Sequence, residues 1–124
     1  MERLNFQQKI AVLRILFDII NADGRIDARE TFYFKKVAKL LGVGEEHRAT
    51  INEANSLLCL LEIKSFDESQ KQQMVQMMGQ QIVVDEDINV NEMAIFELVC
   101  KTCNIDMKFE DVVDSEQISK STRS

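Results

Sequence analysis

The stretch of sequence that decides the fold is ADGRIDARE at residues 22–30, which returns as VDEDINVNE at residues 84–92. The offset between the two copies is 62 residues, half of the 124-residue chain. Beyond the two stretches, the same offset continues to align residues of like chemistry. The identical pairs are Asp23 and Asp85, Ile26 and Ile88, Glu30 and Glu92, Phe34 and Phe96, Val37 and Val99, and Lys39 and Lys101. This self-similarity predicts a duplicated unit.

Apolar residues recur at helical spacing on both sides of each acidic stretch. The patterns predict helices at about 6–20, 28–41, 67–84 and 90–103, with a linking helix at 45–61 and a short turn near 109–113. The segment from Ile10 to Ile20 is apolar on nearly all sides, which places the first helix centrally. Ser65 and Glu68 resemble a capping box for the fourth helix. We therefore expect an all-α bundle of two related helix–acidic loop–helix units, with five main helices and no strand.

Composition supports an all-α fold and limits the classes of function. The chain has no proline and only four glycines, too few turn residues for a sandwich or barrel. Its net charge of −6 disfavours a nucleic-acid-binding surface, which needs clustered Lys and Arg. The most apolar stretch, Ile10 to Ile20, is too short to span a bilayer. Three cysteines are too few for a disulfide scaffold, so we expect a cytoplasmic protein without membrane insertion.

We expect a single domain over residues 1–113, followed by a tail at 114–124. The tail is polar and rich in serine, a composition typical of disorder.

The acidic loops have a structural explanation in helix capping. Asp27 with Glu30, and Asn89 with Glu92, fit the capping-box pattern at the start of a helix. Asp23 before Gly24 is typical of an Asx turn. In this interpretation the loop acids only cap helices, and the chain is a structural adaptor module without a metal.

The same loops also have a functional explanation in cation binding. Asp23, Gly24, Asp27 and Glu30 match positions 5, 6, 9 and 12 of an EF-hand loop, but Ile19 stands where the first aspartate belongs. In the second loop Gln81 takes that first position, and Glu86 replaces the glycine. Each loop alone has too few oxygen ligands, but two neighbouring loops could share one site. The candidate ligands for Ca²⁺, Mg²⁺ or Mn²⁺ are Asp23, Asp27, Glu30, Asp85, Asp87 and Glu92.

The paired motifs, DGRIDARE at 23–30 and DEDINVNE at 85–92, resemble those of the tellurite-resistance protein B (TerB-like) family, which shares a superfamily with the N-terminal domains of DjlA-type co-chaperones. The resemblance covers roughly residues 4–109. It implies an all-helical fold with an acidic centre and a non-catalytic stress-response or scaffolding role that is linked to cations and to a protein partner. The family's acidic positions would correspond to Asp23, Glu30, Asp85 and Glu92.

The remaining reactive residues do not suggest an enzyme. Cys100 and Cys103 form a CxxC near the end of a predicted helix, whereas a redox motif begins one, so we expect both thiols to be buried and unpaired. His47 has no partner nucleophile in any motif and is expected at the surface. No nucleotide-binding or hydrolase motif is present.

Overall fold

The computed structural model describes residues 4–84 and 86–112, and these residues form an all-α bundle without a strand. The predicted disordered tail at 114–124 and the candidate ligand Asp85 lie outside the described residues. The helices are α1 (Phe6–Ile20), α2 (Ala28–Leu40), a 3₁₀ turn (Glu45–His47), α3 (Arg48–Glu53), α4 (Ser56–Lys64), α5 (Glu68–Val83), α6 (Val90–Thr102) and α7 (Phe109–Val112). The predicted all-α fold is confirmed.

Helix α1 forms the centre of the bundle, as its sequence predicts. It contacts five other helices, α2 to α6. Eight of its fifteen residues are buried, because apolar side chains cover nearly its whole circumference: Ile10, Ala11, Val12, Leu13, Ile15, Leu16, Ile19 and Ile20. A helix that is apolar all round is stable only when other elements surround it.

The helix bounds repeat along the chain with the offset seen in the sequence. The N-cap residues of α1 and α5 are Asn5 and Asp67, and those of α2 and α6 are Asp27 and Asn89. Both pairs are 62 residues apart. Superposition of the two units remains a prediction.

Two local predictions are wrong. The segment 45–61 is not one helix: it breaks at Ala54, because the Asn55 side chain accepts a hydrogen bond from the Leu58 amide and starts α4. The capping box of α5 consists of Asp67 and Gln70 rather than Ser65 and Glu68. Ser65 instead ends α4, where its hydroxyl donates to the Glu62 carbonyl. Asn and Ser compete with helical backbone bonding, which favours such breaks.

Candidate functional site

The two acidic loops lie next to each other in the fold. The Asn89 side-chain amide donates to Asp23 Oδ2 at 3.3 Å, joining residues 66 positions apart. Asp23 Oδ1 also accepts the Arg25 amide at 2.9 Å, which closes the expected Asx turn. The predicted proximity of the loops is therefore observed at these two residues.

Glu30 and Glu92 are almost fully buried, with 2% and 1% of their surface exposed. They stand at the third position of α2 and α6, the position of the glutamine in a capping box. The capping boxes of α1 and α5, formed with Gln8 and Gln70, lie at the exposed surface of the molecule. Capping alone therefore does not require the burial seen for Glu30 and Glu92. A buried carboxylate needs a hydrogen bond, an ion pair, a proton or a metal.

The part that Gln81 plays beside Glu30 was not predicted from the sequence. Gln81 is completely buried, and its Nε2 donates to the Glu30 backbone carbonyl at 3.0 Å. Its carbonyl oxygen, Oε1, has no hydrogen-bond partner among the described residues. The available signal was the EF-hand alignment, which puts Gln81 at the first ligand position of the second loop. A buried amide oxygen of this kind is a hard donor suited to a divalent cation.

The other candidate ligands have different surroundings. Asp27 accepts the Arg29 amide at 2.7 Å as the N-cap of α2 and forms an ion pair with the Arg29 guanidinium at 3.1 Å. The side-chain hydrogen bond from Arg29 lowers the pKa of Asp27 below its usual value. Asp87 is exposed. Within residues 4–84 and 86–112, no three carboxylate, thiol or imidazole side chains form a ready metal site.

The second feature is a groove of about 510 Å³ between α1, α2 and α3. Phe17, Phe34 and Ile51 contribute to its apolar wall, and Lys35 and Lys39 of α2 line it as well. Every residue that lines the groove falls between positions 17 and 52.

A known protein family matches the first part of the chain. Residues 1–53 match the family model described as tellurite resistance protein TerB. Over this segment the chain is similar to TerB. The matched segment contains the first acidic loop and the whole groove, and it ends with α3. The TerB-like resemblance that the acidic motifs suggested is confirmed there.

The fold is similar to that of a solved structure of low sequence identity. It is the crystal structure of a protein of unknown function, PG1108, from Porphyromonas gingivalis W83, with a TM-score of 0.70 and 19% identity over the full length of both chains. At this identity the likeness concerns the fold alone. No curated protein matches the sequence significantly.

Cys100 and Cys103, the two cysteines of the CxxC, are buried, as predicted. Cys59, Cys100 and Cys103 are free thiols inside the core, and Cys103 Sγ donates to the Leu60 carbonyl at 3.4 Å. Burial raises the pKa of Cys100 to about 11, and it also raises the pKa of the other two. These thiols are therefore protonated at neutral pH, the opposite of an activated nucleophile. No helix in the described part of the chain is long and apolar enough to cross a membrane.

Proposed function

We propose that this chain is a non-catalytic TerB-like interaction domain of the stress response, working in the cytoplasm on a protein partner and holding a divalent cation weakly at its two acidic loops. The observation that carries the proposal is the burial of three polar side chains, Glu30, Gln81 and Glu92, in an otherwise apolar bundle. Gln81 bonds to the Glu30 carbonyl, and the loop before Glu92 bonds to the first loop through Asn89 and Asp23. The protonated thiols argue against cysteine-based catalysis.

The residues present fit a hard cation. The carboxylates of Glu30 and Glu92 and the amide oxygen of Gln81 are the groups that would hold it, with Asp23 close to the second loop. These are all oxygen donors, which favours Ca²⁺, Mg²⁺ or Mn²⁺ over Zn²⁺. Weak affinity is expected, because Ile19 stands in the first loop where an EF-hand supplies an aspartate.

Thermal unfolding with and without divalent cations tests the proposal. For a Kd of about 1 mM, a cation at about 5 mM adds RT ln 6, about 1 kcal/mol, to the free energy of unfolding. In a chain of this size that raises Tm by about 4 °C. Each variant is measured against its own chelated sample, so intrinsic effects of the substitution cancel.

Glu30→Gln and Glu92→Gln should each abolish the cation-dependent gain. The matched control is Glu46→Gln, the same change at a carboxylate that is 72% exposed, and it should keep the full gain. If Ca²⁺, Mg²⁺ and Mn²⁺ all leave the wild-type melting curve unchanged, the metal proposal fails. The loop acids then have only the structural and capping roles of an adaptor module.

A further inference from the structure

We propose that the groove between α1, α2 and α3 binds a short acidic amphipathic helix of a partner protein, with an aromatic anchor against Phe34 and carboxylates facing Lys35 and Lys39. This inference rests on the proposed interaction role and assigns it to one surface. The volume of about 510 Å³ is large enough for several apolar side chains.

The second half of the chain contains a residue equivalent to Phe34 whose ring is covered by another helix. Phe96, 62 residues after Phe34, is only 2% exposed, because Phe109 of α7 packs edge-on against it with ring centroids 5.5 Å apart. Phe34 is partly buried at the groove, where its ring neighbour is Phe17 at 6.3 Å. The residue 62 positions before Phe109 is His47, whose ring contacts Phe6. The first half of the chain therefore lacks the aromatic cover that the second half supplies for itself.

The covering helix also indicates the chemistry of the occupant. Helix α7 has the sequence FEDV, in which Phe109 and Val112 are buried and Glu110 and Asp111 are exposed. It is a short segment with an apolar face and an acidic face. A partner segment of the same character would bury its apolar face in the groove, as amphipathic helices do in other complexes.

Charge complementarity favours an acidic partner. Helix α2 carries four basic residues against one acidic residue, Glu30, in a chain with a net charge of −6. Lys35 and Lys39 are exposed and one helical turn apart, a spacing that matches two carboxylates one turn apart on a partner helix. No carboxylate in the described part of the chain lies within ion-pair distance of either lysine.

The acidic residues of the groove do not cancel this charge. Glu45 is already paired with Arg48 at 3.8 Å, and neither Glu45 nor Glu46 lies within ion-pair distance of Lys35 or Lys39. Next to the two lysines, Phe32 projects from α2 with 72% of its surface exposed. It shares the outward face of the helix with Lys35, Lys36 and Lys39, at offsets of 3, 4 and 7. An apolar residue exposed beside unpaired cations is typical of an interaction surface.

Selection from a displayed library of random peptides of about 16 residues provides the probe, since helices of that length can lie along the groove. We expect the enriched peptides to carry an aromatic residue and acidic residues one turn apart. Fluorescence anisotropy with the most enriched peptide then measures Kd. Lys35→Glu/Lys39→Glu should weaken binding about tenfold or more, and added salt should weaken the binding of the wild-type chain.

The matched control is Lys64→Glu/Lys101→Glu, which makes the same charge change at two exposed lysines on α4 and α6, outside the groove. Its Kd should stay within about twofold of wild type, since neither lysine faces the peptide. A second groove variant, Ala38→Leu, fills the groove from α2 without changing charge and should also weaken binding. Urea unfolding of each variant verifies that the fold is retained.

Four results would overturn the inference. The first two are that selection enriches no peptide, or that the enriched peptide binds all variants equally; either places the interaction surface elsewhere and leaves the interaction role standing. The third is that dodecanoate shifts the amide NMR signals of groove residues such as Val43 while no peptide does, which makes the groove a lipid site. The fourth is that light scattering shows a dimer that Lys35→Glu/Lys39→Glu dissociates, which makes the occupant a second copy. The cation experiment is independent of all four, so either proposal can fail alone.

Discussion

Arg14 is predicted to hold the central helix to the segment that forms one side of the groove. Its Nη1 donates to the backbone carbonyls of Ile51 and Asn52 at 3.1 and 2.7 Å. Its Nε lies 3.1 Å from Asp18 Oδ1 and 3.2 Å from Ser56 Oγ. One guanidinium therefore bonds to the last turn of α3 and the first residue of α4 at once. The planar fork of arginine suits this arrangement, and lysine cannot reproduce it.

The magnitude follows from the contacts that Arg14→Met would remove. Hydrogen bonds to a charged group contribute about 1.5–3 kcal/mol each when buried. The Arg14 and Asp18 side chains keep 19% and 23% exposure, so water replaces part of what is lost. Asp18 also keeps the hydrogen bond from the Ser56 hydroxyl at 2.6 Å. We expect Arg14→Met to lower the free energy of unfolding by about 2–4 kcal/mol, and Arg14→Lys by somewhat less.

Urea unfolding followed by circular dichroism measures this loss. The control is Arg48→Met, the same substitution at a residue that is 73% exposed, with one ion pair at 3.8 Å. It should change stability by less than about 0.5 kcal/mol. A loss below about 1 kcal/mol for Arg14→Met, or equal losses for the two variants, would refute the assignment of Arg14 as the link between α1 and α3.

Three further predictions concern single residues. Gly24→Ala should lower the free energy of unfolding in urea by about 1–2 kcal/mol, because Gly24 has φ +76°, a conformation that alanine adopts only with strain. The control Gly44→Ala, at φ −91°, displaces only the flexible Glu46 side chain and should lower it by less. Burial raises the pKa of Tyr33, the single tyrosine, to about 12. Phenolate absorbance should therefore titrate near pH 12 in the folded chain and near pH 10 in urea. The stability linked to Tyr33 is present below pH 10 and is lost between pH 10 and 12. A midpoint near 10 in the folded chain would contradict the burial of this ring. Cys100, with its pKa raised to about 11, should react slowly with a thiol reagent at pH 8 and quickly in urea; fast labelling of the native chain would revive the redox interpretation of the CxxC motif.

The helices that follow from apolar periodicity were predicted correctly from the sequence. The helix break that depends on a single capping side chain was not. The central position of α1 follows from its continuous apolar surface, and that position is observed. The bounds of α2, Ala28–Leu40, and of α6, Val90–Thr102, agree with prediction within about one residue because Asp27 and Asn89 mark their starts. The break at Ala54 was missed, since an apolar pattern continues across it and only the Asn55 cap interrupts the helix.

The candidate site was predictable only in part, because burial and orientation depend on tertiary packing. The motifs located Glu30 and Glu92, and the structure buries both. The burial of Gln81 could not be predicted from its residue type, because glutamine is usually exposed. It is a core residue here because α5 packs against the start of α2. Arg14 looked like an interruption of an apolar stretch, and its partners lie 37 to 42 residues away. The groove likewise depends on how α3 sits beside α2.

The two halves of the chain differ at the points where their functions should differ. Gly24 and Glu86 stand 62 residues apart and both have positive φ, +76° and +62°, although only glycine adopts that conformation without strain. A residue in such a conformation persists when its surroundings fix it, and Glu86 is followed closely by the Asn89 cap and the buried Glu92. In the same half, the ring of Phe109 packs against the ring of Phe96. The second half thus covers its own core with Phe109, whereas in the first half Phe34 lies at an open groove beside Lys35 and Lys39. Under the two proposals, binding to a partner should depend on residues 17–52, while substitutions after residue 66 should act through stability and through the proposed cation site.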